Sequence, residues 1–166
     1  MKYKVIDNFL DKEYFDRLVT FFIGDGIPWY FTETVADHVE NNLFYMTHLF
    51  YIANLPKSEY YNIIVPLLEK LDTKCLIRVK ANFYPNTERL HEHPKHVDYP
   101  YSHSGAILSL NTCDGYTKLK DGTKIDSIAN RVLLFDSSEE HGSTTTTNVN
   151  ARINLNINYI QEQLYG

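Results

Sequence analysis

The residues best able to do chemistry in this sequence fall in one stretch, His91-Glu92-His93-Pro94-Lys95-His96-Val97-Asp98. On a strand, residues two apart point to the same side. His96 and Asp98 would therefore turn an imidazole and a carboxylate toward one spot. Two histidines and one carboxylate form the facial set that holds a non-heme Fe(II) and leaves positions open for oxygen chemistry. His96 and Asp98 supply two of the three, and His141 is the natural candidate for the third. Arg152 follows His141 by eleven positions, inside a strand-like run.

The same cluster allows other sets. His91-x-His93 with Asp98 and His141 imitates a cupin metal site, although Pro94-Lys95-His96-Val97 lacks the glutamate such sites usually carry. Two histidines and an aspartate also suit catalytic zinc with water in the fourth position. A zinc hydrolase needs a general base near that water; Glu139 or Glu140 would serve, but Arg152 would then have no role. In the iron reading, His91 and His93 are entrance or surface residues near a substrate. His103, in the polar run Tyr101-Ser102-His103-Ser104, reads as exposed. His38 and His48 read as ordinary surface or core residues.

The elements that must position these residues are mostly strands. Ala151 to Ile160 alternates with period two: Ile153, Leu155, Ile157 and Tyr159 on one face, Arg152, Asn154, Asn156 and Asn158 on the other. Asn is a poor strand former, and a solvated face would carry Lys, Glu or Thr. Asn suits a site where donors and acceptors are met internally, so this face fits a polar cavity better than the alternative, a solvated surface. A buried Arg152 would need an anion, because an unpaired buried charge costs several kcal/mol. Its planar fork matches a carboxylate.

Lys74 to Tyr84 alternates in the same way. Cys75, Ile77, Val79, Ala81 and Phe83 share the apolar face. Lys74, Leu76, Arg78, Lys80, Asn82 and Tyr84 share a face whose simplest reading is solvent. Further short strands are predicted over Gly105–Asn111, Tyr116–Leu119, Thr123–Ile125 and Arg131–Phe135, with Asp121-Gly122 as a hairpin turn. Thr144 to Thr147 reads as a strand edge or loop.

Before Lys74 the pattern is mainly helical. After a short strand at Val5-Ile6, Asn8 or Asp11 caps a helix over Lys12 to Ile23, ended by Gly24-Asp25-Gly26. Ser58 to Leu71 reads as a second helix, capped by Ser58 and kinked or split at Pro66. Ile27 to Phe31 is an aromatic strand or turn, and a polar loop passes through Asn41-Asn42. The aromatic run Leu43 to Ala53 has no clear period. Helices at the front and many short strands behind imply a mainly β fold with flanking helices, a sandwich or jelly roll.

Composition bounds the rest. With 166 residues the chain suits one domain, and its 43% hydrophobic content can bury a core. A net charge of -5 without a basic patch argues against nucleic acid as partner. Cys75 and Cys113 are too few for a disulfide scaffold. No signal-peptide core opens the sequence, and no apolar run approaches the ~20 residues that span a bilayer. A protein of the reducing cytoplasm, with no membrane partner, is expected.

His-x-Asp, a later His and then an Arg resembles the Fe(II)- and 2-oxoglutarate-dependent oxygenases, most of all the prolyl-4-hydroxylase-like branch with its small phage and bacterial members. The opening Val5-Ile6-Asp7-Asn8-Phe9-Leu10-Asp11-Lys12-Glu13 is similar to the start of many such domains. Good motif support runs from Tyr84 to Tyr159. The resemblance implies a double-stranded β-helix (jelly roll, cupin-like) core at 74–161, backed by helical support at 1–73, in one domain at 1–166. It implies Fe(II) on His96, Asp98 and His141, and 2-oxoglutarate held by Arg152 and by Tyr84 of the Tyr84-Pro85 step. Asn154 stands where many relatives have Ser, and is a further cosubstrate candidate. O2 would be consumed, succinate and CO2 released, and a peptidyl residue (prolyl-type) or small molecule hydroxylated. Branches that repair nucleic acid bases usually carry a second Arg after the first; none stands here. The compact resemblance gives an impression of phage origin, which would make the compartment the host cytoplasm. The alternative is a non-catalytic jelly-roll or cupin module that binds metal or ligand.

Overall fold

Ala151–Ile160 forms the central strand of the largest of three antiparallel sheets, and both of its faces are buried. The computed structural model describes residues 2–35, 38–39 and 43–161; the polar loop at Asn41-Asn42 and the side chain of His38 lie outside the described residues. In chain order the elements are β1 (Tyr3–Ile6), α1 (Lys12–Ile23), β2 (Tyr30–Thr32), β3 (Thr34–Val35), β4 (His38–Val39), β5 (Tyr45–Ile52) and β6 (Leu55–Pro56). A 3-10 turn (Tyr61–Ile64), α2 (Val65–Lys70), β7 (Cys75–Pro85), β8 (Ser104–Ser109) and β9 (Tyr116–Leu119) follow. The chain ends through β10 (Lys124–Asp126), β11 (Val132–Asp136), β12 (His141–Gly142) and β13 (Ala151–Ile160).

The eight-stranded sheet has the order β1-β11-β8-β13-β7-β5-β2, with β6 added to β5; the smaller sheet facing it is β10-β9-β12, and β3 and β4 pair with each other. Ile153, Leu155, Ile157 and Tyr159 of β13 join Val79 and Ala81 of β7 and Ala106 and Leu108 of β8 under the helices. On the opposite side Ile107, Leu119, Leu133 and Phe135 form a smaller cluster between the two sheets. The architecture is thus helices, large sheet, small sheet: the mainly β jelly roll that the sequence predicts, with a polar seam between its sheets.

Local chemistry explains the boundaries. Asp11 caps α1, its Oδ1 accepting from Tyr14 N at 2.9 Å, and Tyr14, Phe15, Leu18 and Phe22 are buried. Ile23, the last residue of the helix, is exposed. The second helix is shorter than predicted. Ser58 Oγ accepts from Tyr60 N at 3.1 Å, and α2 begins only at Val65. Pro66 sits in its first turn, where the missing N–H is no loss, so it starts a helix rather than bending one. The unplaced aromatic run is β5, paired with β7. The segment before Lys74 therefore contributes β1, β2, β5 and β6 to the large sheet as well as helices.

In β7 the predicted alternation holds from Arg78 onward and fails before it. The pairing with β13 skips Ile77, setting Leu76 opposite Tyr159 and Arg78 opposite Asn158. This extra residue moves Leu76 rather than Ile77 onto the helix-side core. Cys75 is exposed. Among the described residues no helix is long and apolar enough to cross a membrane.

Leu155 is fully buried at the middle of β13. Leu155→Ala should cost about 2–5 kcal/mol, read as a lower urea midpoint at unchanged m-value. A loss below about 1 kcal/mol would show that β13 is not the keystone of this core.

Candidate active site

The polar seam is built by register. Across β7 and β13 the chain pairs Tyr84 with Arg152, Asn82 with Asn154, Lys80 with Asn156 and Arg78 with Asn158. All eight side chains project from the face opposite the helix-side core. The face of β7 that reads as solvent-exposed from sequence is thus turned inward, and the asparagine face of β13 does line a polar cavity. Asn154 and Asn156 border a cleft with Val35, Tyr45, His96, Asp98, Thr117 and His141.

His96 and His141 are neighbours across two short extended segments. Each backbone N–H donates to the other's carbonyl at 2.9 Å, and their rings lie 4.7 Å apart. Asp98, two residues after His96, places Oδ1 3.7 Å from His96 Nε2. Its Oδ2 lies 3.8 Å from His141 Nε2. Ligand atoms from the three residues lie within 4.8 Å of one another, the one such group of three or more among the described residues. His141 Nδ1 faces the Glu139 carbonyl at 3.0 Å. A carbonyl only accepts, so Nδ1 carries the proton and Nε2 keeps its lone pair. Burial lowers the pKa of His141 against the pull of Asp98, favouring the neutral ring that binds metals. Bonds of ~2.1 Å to adjacent positions of an octahedron set donors about 3 Å apart. Small side-chain rotations would close this triad on a cation.

Asp98 accepts hydrogen bonds from four side chains. Its side chain is only 3% exposed. Oδ1 accepts from Arg78 Nη2 at 2.8 Å. Oδ2 accepts from Ser137 Oγ at 2.6 Å, Asn158 Nδ2 at 2.8 Å and Asn156 Nδ2 at 3.3 Å. Burial opposes ionisation, but His96, Arg78, His141 and Ser137 outweigh it and hold the carboxyl well below the usual range. Behind this cluster His103 packs on Tyr99 and Tyr101 and approaches Asn158. His103 is buried, not exposed as expected, because its Nδ1 engages the Tyr101 carbonyl at 2.8 Å.

At the other end of the seam stands Arg152, 1% exposed. Four residues, about 13 Å of strand, separate it from Asn156. Its Nη2 donates to Thr117 Oγ1 at 3.0 Å and its Nη1 to the Thr144 carbonyl at 3.3 Å, while Nε is buried without a partner. No carboxylate of the described residues pairs with it. Burial lowers its pKa. The guanidinium lies over the Tyr84 ring, 5.5 Å from its centroid, and Tyr84 stacks on Tyr45. Burial raises the pKa of the Tyr84 hydroxyl, leaving it a neutral donor. Asn154 accepts from Asn82 Nδ2 at 3.0 Å.

His93 is buried against Tyr84 and His91 rather than on the surface. His48 is a core residue held between the Pro28 carbonyl and Ser58. The sequence reading did not single out Arg78 or Ser137. The signal for Arg78 was present: a polar strand face facing another polar strand face has no reason to be wet.

No family model matches the sequence, and no curated protein matches it. Solved structures do. A prolyl hydroxylase from Trichoplax adhaerens, in complex with a hypoxia inducible factor oxygen degradation domain peptide fragment, is 18% identical over 95% of this chain and 83% of its own, with TM-score 0.68. A 2OG-Fe(II) oxygenase family oxidoreductase from Burkholderia pseudomallei is 13% identical over 97% and 86%, with TM-score 0.70. The viral collagen prolyl hydroxylase of Paramecium Bursaria Chlorella virus-1, in its 2OG complex, is 14% identical over 98% and 97%, with TM-score 0.64. At these identities the likeness establishes the fold. The chain has the prolyl-4-hydroxylase-like fold of the 2-oxoglutarate oxygenases.

Gly115 lies against the Arg152 side chain; a Cβ there would meet the Thr145 carbonyl oxygen at 2.6 Å and Arg152 Cδ at 2.7 Å. Gly115→Ala should destabilise the protein by about 1–3 kcal/mol, measured by urea unfolding. An unshifted midpoint would mean that the pocket around Arg152 yields rather than holds it.

Proposed function

We propose that this chain is an Fe(II)- and 2-oxoglutarate-dependent dioxygenase that hydroxylates a peptidyl residue or a small molecule. One observation carries the reading: a fully buried arginine with no carboxylate partner among the described residues shares a polar seam with a His-Asp-His triad. An uncompensated cation in that position calls for an anion from outside, and a dicarboxylate cosubstrate would bring one. The fold supports this, since the solved proteins that share it include one named for 2-oxoglutarate and Fe(II).

His96, Asp98 and His141 would hold the iron through two imidazole nitrogens and one carboxylate oxygen. Bound there, Fe(II) with 2-oxoglutarate would supply activation of O2 coupled to release of succinate and CO2. Arg152 would grip the distal carboxylate of the cosubstrate through its guanidinium fork. Thr117 and the Thr144 carbonyl hold that fork, and the Tyr84 ring limits its movement. Tyr84 would donate its hydroxyl to the same ligand, and Asn154 would line its path. Stacking of Tyr45 on Tyr84 screens this end of the seam from water. No side chain is needed as general acid or base. The setting is a reducing cytoplasm, where iron stays ferrous and Cys75 and Cys113 stay thiols.

The test is anaerobic. Fe(II) followed by 2-oxoglutarate should produce a visible metal-to-ligand charge-transfer band in the wild type. Asp98→Ala should abolish the band. Arg152→Ala should weaken 2-oxoglutarate affinity by about 30-fold or more. A folded, iron-loaded wild type that shows no band would sink the assignment and bring the ligand-binding module forward.

A further inference from the structure

We infer that Arg78 is a positioning residue that acts as a resident counter-cation: it holds Asp98 when the triad is empty and opposes the metal when it is filled. This rests on the reading that His96, Asp98 and His141 hold a divalent cation.

The geometry assigns different tasks to the two carboxylate oxygens. Oδ2 also faces the triad, 3.8 Å from His141 Nε2, but already accepts from Ser137, Asn158 and Asn156, which leaves it no free lone pair. Among the described residues Oδ1 accepts a hydrogen bond from Arg78 Nη2 alone, at 2.8 Å. Its second lone pair is left for the triad, on the side where His96 Nε2 stands 3.7 Å away. The ligating oxygen and the oxygen gripped by arginine are therefore the same atom. A cation bound to Oδ1 would share that oxygen with a guanidinium.

Arg78 is also locked. Its Nε donates to Asn158 Oδ1 at 3.1 Å, while Asn158 Nδ2 donates to Asp98 Oδ2. Arg78, Asp98 and Asn158 so form a closed ring of hydrogen bonds. The guanidinium lies over the Tyr99 ring at 5.4 Å. The Arg78 side chain is 15% exposed and that of Asp98 3%, so solvent screens the pair weakly. An arginine that only packed would need neither the ring of hydrogen bonds nor contact with the ligating oxygen.

Two opposed consequences follow. Without metal, Asp98 is a buried carboxylate that depends on Arg78 for its charge balance, so loss of the arginine unsettles the empty protein. With metal, two like charges face one another across one oxygen, so loss of the arginine relieves repulsion. By linkage, a variant destabilised more when empty than when loaded must bind the cation more tightly.

The experiment uses Mn(II) as the probe and needs no turnover. Affinity is read from the free-ion electron paramagnetic resonance signal, and stability from thermal unfolding with and without Mn(II). Arg78→Gln keeps a hydrogen bond without the charge; Arg78→Lys keeps the charge without the fork. Arg78→Gln should bind Mn(II) about tenfold more tightly than wild type and lose Tm chiefly when metal-free, and Arg78→Lys should restore wild-type affinity. If metal-free Arg78→Gln fails to fold, folding on Mn(II) addition, seen by circular dichroism, supports the inference, and failure to fold with Mn(II) overturns it. Equal or weaker Mn(II) affinity in Arg78→Gln, with equal loss of Tm in both states, also overturns it and leaves Arg78 a packing residue. A wild type that binds no Mn(II) instead refutes the metal reading beneath it.

Discussion

The structure turns on keeping an ionised carboxylate, Asp98, in a nearly dry interior. Such a group is stable only when charge and hydrogen bonds replace the water it lost. Four side chains provide that replacement: Arg78 from β7, Asn156 and Asn158 from β13, and Ser137 just after β11. These elements lie far apart in sequence and meet only if the large sheet forms in the observed order. Satisfying one carboxylate therefore recruits much of the fold, and fixes where His96 and His141 must stand.

The seam is asymmetric, and the asymmetry points to function. At the Asp98 end, buried charge is met by buried charge. At the Arg152 end, the cation has a hydroxyl, a carbonyl and an aromatic face but no carboxylate among the described residues. A protein selected for stability alone would pair such a residue or replace it with an apolar one. Leaving it uncompensated lowers stability, a typical trade at a binding site. Asn82 Oδ1 and Asn156 Oδ1, buried without hydrogen-bond partners between the two ends, extend the same incompleteness along the seam.

Much of this was legible from the sequence, for a definite reason. Period two on β13 separates its two faces without reference to anything else in the chain, and three asparagines beside an arginine distinguish a polar interior from a wet surface. The His-x-Asp spacing likewise needs only a locally extended backbone to bring both groups to one side. What stayed hidden depends on partners. The polar face of β7 looks the same whether it meets water or β13. His93 and His103 look exposed until the loops that carry them close over Tyr84 and Tyr101. The bulge at Ile77 leaves no mark in composition. Pro66 was recognised as a break, but whether a proline ends or begins a helix depends on where the preceding turn packs.

The sheet register is held from both sides, and this makes the site a consequence of folding rather than an addition to it. A one-residue slip of β13 would carry Arg152 and the three asparagines under the helices and turn Ile153, Leu155, Ile157 and Tyr159 into the seam. Either half of that exchange is prohibitive: polar groups would lose their partners, and four buried apolar side chains would lose their core. The bulge in β7 extends the same logic. It lets Leu76 reach the core while Arg78 keeps its place opposite Asn158, so the strand serves packing and Asp98 at adjoining positions. His141 needs a separate hold, since β12 has only two residues. Pairing with Leu119 on one side and His96 on the other provides it. The triad is thus set by backbone pairing before any cation is present, and its side chains need only small rotations to close.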